Sequence, residues 1–249
     1  MKQIPTVLIV FALALGMAHG QVTLVSFDFS DAPTEISATT SAAETVAPGF
    51  SPATFSVVRQ NTTNETQSGI ANVAGSSGVG AAQVAGQQQN TYAWEDGSDS
   101  NYFEFTVDFG TVSAGMISFD SLNIVGRTGV QWGGNEALLD FRSDRLSTLT
   151  VRSSLDNFAS NIGPEVNPSF PNTDNDWADT SIDLSSLMLA GTEDSITFRL
   201  YTKTNASGTT FHRTQFNTVE VTGVIPEPSV YAALVGLAAL ALAVRRRRL

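Results

Sequence analysis

The chain has 249 residues, 42% of them hydrophobic and 15% charged, with no cysteine and a formal net charge of −11. Setting aside Lys2, the four arginines at 245–248 and Glu227 leaves 8 basic and 23 acidic residues between the ends, a net charge of −15. A surface that acidic repels phosphate backbones and anionic headgroups, which argues against a nucleic-acid partner, and the lack of thiols rules out a disulfide framework and thiolate chemistry.

The chain opens on a short positive region, Met1-Lys2, followed by an apolar stretch from Ile4 to Ala18 without a charge. Ala18-His19-Gly20 then places small residues where a signal peptidase reads them, so residues 1–20 are expected to be a secretory signal peptide handled by the Sec machinery, with Gln21 first in the mature protein. His19 leaves with it, and His212 remains as the single histidine.

From residue 22 the periodicity is strand-like. A first strand is expected over 22–29. Residues 61–90, rich in Gly, Ala, Ser and Gln, read as a long surface excursion that is mobile or loosely paired. Phe103, Phe105, Val107 and Phe109 then alternate with Tyr102, Glu104, Thr106 and Asp108, which predicts a half-buried strand with the first set facing the core. Ile117 and Phe119 continue the pattern, and a change of parity at Ser121–Leu122 suggests a bulge. Leu149 and Val151, then Ile196, Phe198 and Leu200, then Val219 and Val221, supply further strands. Only 184–189 has the spacing of a short helical turn. Many short strands separated by polar turns predict an all-β fold, a single β-sandwich of the jelly-roll kind over 21–224.

Candidate chemistry in this middle is sparse. A Ser-His-Asp triad would have to use His212, and no G-x-S-x-G elbow accompanies it. Paired carboxylates for glycoside hydrolysis would come from Glu95, Asp96 and Asp99, or from Glu104 and Asp140. Two acidic loops could hold a structural Ca²⁺, one at 95–99 and one formed by Asp174 and Asp176 with Asp179, although each also reads as an Asp/Asn-rich turn. Trp94, Trp132 and Trp177 stand near turns, where an aromatic can stack on a sugar or simply pack.

The C-terminal end is the most specific part. Pro226-Glu227-Pro228 cannot join a helix or sheet, because both prolines lack an N–H. An uncharged apolar run follows over 230–244, short for a span but extendable by snorkelling, and Arg245, Arg246, Arg247 and Arg248 act as a cytoplasmic stop. One short transmembrane helix is expected here, the chain's sole contact with a membrane. Together these residues resemble the PEP-CTERM sorting signal over 225–249, and 101–109, 149–158, 196–204 and 216–223 resemble strands of β-sandwich ectodomains that carry such tails. The resemblance implies recognition of Pro226, Glu227 and Pro228 by an exosortase, and export with transient anchoring in the cytoplasmic membrane before release to the envelope or exterior. It also implies association with exopolysaccharide or biofilm, and the sparse chemistry of the middle leads to the expectation of no enzymatic activity. A jelly-roll carbohydrate-binding module and a secreted glycoside hydrolase remain the alternatives.

Overall fold

The computed structural model describes residues 20–30, 38–58, 69–72, 80–86, 102–131, 139–140, 147–166, 177–204 and 211–225, together with Gly236. Among these, the chain is all-β, with 13 strands and two single-turn 3-10 segments. The strands are β1 (Val22–Asp28), β2 (Thr40–Ala42), β3 (Thr45–Val46), β4 (Thr54–Val58), β5 (Gly69–Asn72), β6 (Gly80–Gly86), β7 (Tyr102–Asp108), β8 (Ser118–Gln131), β9 (Leu139–Asp140), β10 (Ser147–Ser153), β11 (Ala178–Asp183), β12 (Ser195–Thr204) and β13 (Phe211–Val224).

They form two antiparallel sheets. Sheet A has eight strands in the order β11-β8-β13-β1-β3, with β9 on β8 and the β6–β5 pair on β13. Sheet B has five, in the order β10-β12-β7-β4-β2. The long strands β8 and β13 form the middle of sheet A. The first half of β13 is flanked by β6 and its second half by β1, and the handover falls at Asn217, an extra residue between Phe216 and Thr218 that bulges the ladder.

The inner faces of the two sheets meet in one aromatic core. Phe27 of sheet A lies 5.3 Å from Phe55 and 5.5 Å from Phe105 of sheet B, and Phe103 lies 4.3 Å from Phe216. Phe103, Phe105, Val107 and Phe109 are buried, as their alternation predicts. The large flat rings fill the gap between the sheets. Two antiparallel sheets facing across a core are consistent with a β-sandwich.

Three sequence expectations change. The stretch 61–90 is not merely a surface excursion. It supplies β5 and β6, β6 pairs with β13, and Ile70, Ala81 and Ala82 are buried. The bulge near Ser121 is present but centred one residue earlier, since Asp120 has no partner between Phe119 and Ser121. Residues 184–189 make a single turn, Leu187 N–H donating to the Leu184 carbonyl at 2.9 Å, and no helix.

Residues 1–19 and 226–249, Gly236 excepted, lie outside the described residues, and with them the expected signal peptide, sorting motif and anchor. Among the described residues no helix is long and apolar enough to cross a membrane.

Candidate functional site

Alternation gives sheet A an outer face whose side chains can be read off the ladder. With Leu122, Ile124, Val219 and Val221 buried inward, their neighbours point away from the core. Three cross-strand rows result: Asp183–Ser121–Thr222–Thr23, Ser181–Asn123–Glu220–Ser26–Thr45, and Asp179–Val125–Thr218–Asp28. Hydroxyls, amides and carboxylates dominate them, and Val125 is the one apolar member. Ser181 donates to Asn123 Oδ1 at 2.8 Å, Ser121 and Thr222 share a bond at 2.8 Å, and the Thr23 hydroxyl donates to Glu220. Between the rows runs an open trough of about 400 Å³, lined by Asn123, Val125, Asp179, Ser181, Thr218 and Glu220 among others.

One end of this face is closed by an arrangement that alternation does not foretell. Arg127 and Gln215 belong to the outward set, yet they are 1% and 0% exposed. Arg127 Nε donates to Gln215 Oε1 at 2.7 Å, and its guanidinium carbon sits 4.2 Å from the centroid of the Trp177 ring. A buried guanidinium is tolerated only with such partners, here an amide oxygen on its Nε and a π face beside it. Trp177, half-buried, therefore has one face taken by Arg127. Its indole N–H is buried without a hydrogen-bond partner among the described residues.

The outer face of sheet B carries a second network. Arg199 Nε pairs with Glu104 at 2.6 Å, and its guanidinium lies 3.8 Å from the Phe158 ring and 5.1 Å from Tyr102. Arg152, opposite Arg199 in register, donates to Asn161 Oδ1 and to the Phe158 carbonyl, both at 2.9 Å. Tyr102 stacks near Tyr201 at 5.2 Å, and burial pushes the Tyr102 phenol above its ordinary pKa. These side chains bind each other, so the network holds the 154–161 turn against the sheet.

The sequence candidates fall as follows. Glu104 stands in β7 of sheet B and is committed to Arg199, whereas Asp140 stands in β9 of sheet A, so the fold does not bring that carboxylate pair together. Asp140 shares a row instead with Val130 and His212. Asp179 and Glu220 line one trough, but they are two strands and two residues apart, about 12 Å between Cα atoms from strand spacings. Among the described residues no three His or acidic side chains gather into a metal site. Asp174, Asp176, Glu95, Asp96, Asp99, Trp94 and Trp132 lie outside the described residues.

No family model matches this chain, and no curated protein matches it. Among solved structures, the cleaved adhesin domain of Lys-gingipain from Porphyromonas gingivalis is similar with a TM-score of 0.32 and 12% identity, over 81% of this chain and 97% of that one. At that score the likeness bears on neither detailed fold nor function.

Proposed function

We propose that the chain is an exported, non-enzymatic protein of the cell envelope or extracellular matrix, tethered by its C-terminal segment and processed there by an exosortase. The observation that carries this reading is where the folded part begins and ends. Val22 pairs with Gly223 and Ser118 with Val224, so β1 enters and β13 leaves at one pole, each directly beside a terminal segment of distinct sequence. The expected cleavage site at Ala18-His19-Gly20 and the Pro226-Glu227-Pro228 motif then stand directly beside β1 and β13 in the sequence. The chain crosses between the sheets at nearly every connection, which supports assigning it to the jelly-roll class.

Mass spectrometry of the mature C-terminus in a host with an active exosortase tests the proposal. Loss of the residues after the Pro-Glu-Pro motif is expected, together with full-length accumulation in the membrane when Pro226, Glu227 and Pro228 are all replaced by alanine. An intact Leu249 on the bulk of the wild-type protein makes the tail a plain anchor.

A second reading, polysaccharide binding by sheet A, is favoured by the trough. Hydroxyls, amides and carboxylates spaced along a shallow groove suit the hydroxyls of an uncharged sugar, and the partly exposed Trp177 closes one end. Asn123→Ala with Ser181→Ala should abolish retention on a neutral polysaccharide column while leaving the melting temperature within a few degrees. Undiminished retention removes the trough from the account.

A further inference from the structure

The first residue of the expected mature chain is gripped by strands far from it in sequence. Gln21 stands one residue before β1, outside the ladder that opens with Val22 opposite Gly223. It shares the parity of Thr23, which directs its side chain to the outer face of sheet A. There its Nε2 group donates to a carboxylate oxygen of Asp120 and to Thr222 Oγ1, the latter at 2.9 Å. Thr222 is buried and shares a further bond with the Ser121 hydroxyl at 2.8 Å.

Asp120 reaches the amide because it is the bulged residue of β8. With Phe119 and Leu122 buried inward, the bulge turns both Asp120 and Ser121 to the outer face, and the Leu184 N–H pins the Asp120 carbonyl at 2.9 Å. On its other side Gln21 is open. Gly20 and Gln21 are exposed, and a Cβ on Gly20 would meet nothing within 4 Å. The Gly20–Gln21 bond is the one a signal peptidase is expected to cut. Cutting it leaves an α-amine on the same residue whose carboxamide is held by Asp120 and Thr222.

We propose, resting on the reading of 1–20 as a cleaved signal peptide, that the freed Gln21 closes to a pyroglutamyl ring and that Asp120 catalyses this self-modification. The α-nitrogen attacks Cδ of its own side chain, a lactam forms, and Nε2 leaves as ammonia. Both reacting groups belong to one residue, so no encounter and no co-reactant are needed. The difficulty is a proton. The attacking nitrogen must lose one, and Nε2 must gain one before its bond to Cδ breaks. In the tetrahedral intermediate both nitrogens are bonded to Cδ, so a carboxylate in contact with Nε2 is beside the α-nitrogen as well. Asp120 takes the proton from the α-nitrogen, hands it to Nε2, and ends as the carboxylate it began as. Thr222 Oγ1 keeps Nε2 against Asp120 meanwhile. Gln21 precedes the first ladder pair, so its own torsions can carry the α-nitrogen onto Cδ. The product has no α-ammonium, and the exported chain then starts on a ring that ordinary aminopeptidases do not accept.

To test this, the full chain is exported by a bacterial host and isolated after a short isotopic pulse, and its N-terminal peptide is followed by mass spectrometry during incubation. Loss of one ammonia from the peptide beginning at Gln21 is expected. Asp120→Asn should slow that loss about tenfold, less than an enclosed acid–base group contributes, because this site is open to water. Asp120 and Gln21 meet only in the folded sheet, so unfolding the wild type in guanidinium chloride should slow it to the rate of Asp120→Asn. Equal rates in the folded wild type, the unfolded wild type and Asp120→Asn overturn the role of Asp120. A mature Gln21 that keeps its ammonia overturns the modification itself. Ammonia lost with the Gln21 peptide joined to the one containing Thr222 also overturns it, since the threonine hydroxyl is then the nucleophile. If the mature chain does not begin at Gln21, the signal-peptide reading fails and the ring falls with it.

Discussion

Phe158 holds φ at 60° directly after Asn157 at 58°, two consecutive residues in the left-handed region. Asparagine visits that region readily, but a bulky side chain there costs about 1–2 kcal/mol. The surroundings explain why it persists. The Phe158 N–H donates to the Ser153 carbonyl at 2.9 Å, its own carbonyl accepts from Arg152, and Arg199 lies over its ring. Phe158→Ala keeps the backbone cost and loses the stacking, so urea denaturation should show a loss of about 1–2 kcal/mol. Phe158→Gly loses the same stacking but relieves the backbone, and should be the less costly of the two. A glycine variant less stable than the alanine one would mean that the backbone is not strained at this site. Neither Phe158 nor Arg127 could be picked out beforehand. Alternation places Arg127 on an outer face, where a charged residue is ordinarily exposed, and Phe158 stands in a turn that carries no periodic signal; Gln215, Trp177 and Arg199, which meet them, come from elements distant in sequence.

At the scale of the strands, irregularity is concentrated around the end of β13. Asp120 is the extra residue of β8 opposite Thr222–Gly223, and Leu24 is the extra residue of β1 opposite Thr222–Val221. Squeezed between two bulges, the backbone at Gly223 has no room for a side chain. A Cβ there would lie 2.6 Å from the Ser118 carbonyl oxygen and 2.8 Å from Leu24 Cδ1. Gly223→Ala should accordingly cost about 1–3 kcal/mol in chemical denaturation, whereas Gly115→Ala, whose nearest contact is an ordinary 3.7 Å, should be close to neutral. Equal effects at the two glycines would rule out crowding as the cause. Strands rich in large residues were legible in the sequence, because Phe103 to Phe109 and Ile196 to Leu200 alternate without interruption. The β5–β6 pair was not, since Ala81 and Ala82 carry no hydrophobic contrast and are buried by the strands beside them. The bulge at Asp120 was legible to within one residue from the change in parity, whereas the trough needs the register of three strands, β11, β8 and β13, that sequence alone does not supply.

For the molecule as a whole, charge sets the response to pH. Burial pushes the Asp156 carboxyl up, but bonds from the Ser160 hydroxyl and the N–H groups of Ser160 and Ala159 outweigh it and hold the pKa below the ordinary aspartate value. Ser185 does the same for Asp183, and backbone N–H groups, its own foremost, do so for Glu193. A carboxyl with a depressed folded pKa contributes stability above its unfolded pKa, near 4, and loses it as pH falls through the folded value. Thermal stability should thus hold or rise slightly from pH 7 to 5, as mutual repulsion eases, and fall below about pH 4. Asp156→Asn should blunt that fall, and an unaltered acid limb would show that its bonds matter little. The arrangement of sheet A also sets an order of events in time. Among the described strands β13 is the last to be made, yet β8, β6 and β1 all pair with it. Until it arrives, those three strands have bare edges, and the sheet cannot close on local contacts. A chain threaded through a membrane from its N-terminus would stay incomplete until nearly all of it had crossed, so folding would finish only as the apolar tail reached the pore. Final closure of the sheet and arrest of the tail in the bilayer would then be nearly simultaneous, and a stall before residue 211 would leave an aggregation-prone domain outside the cell.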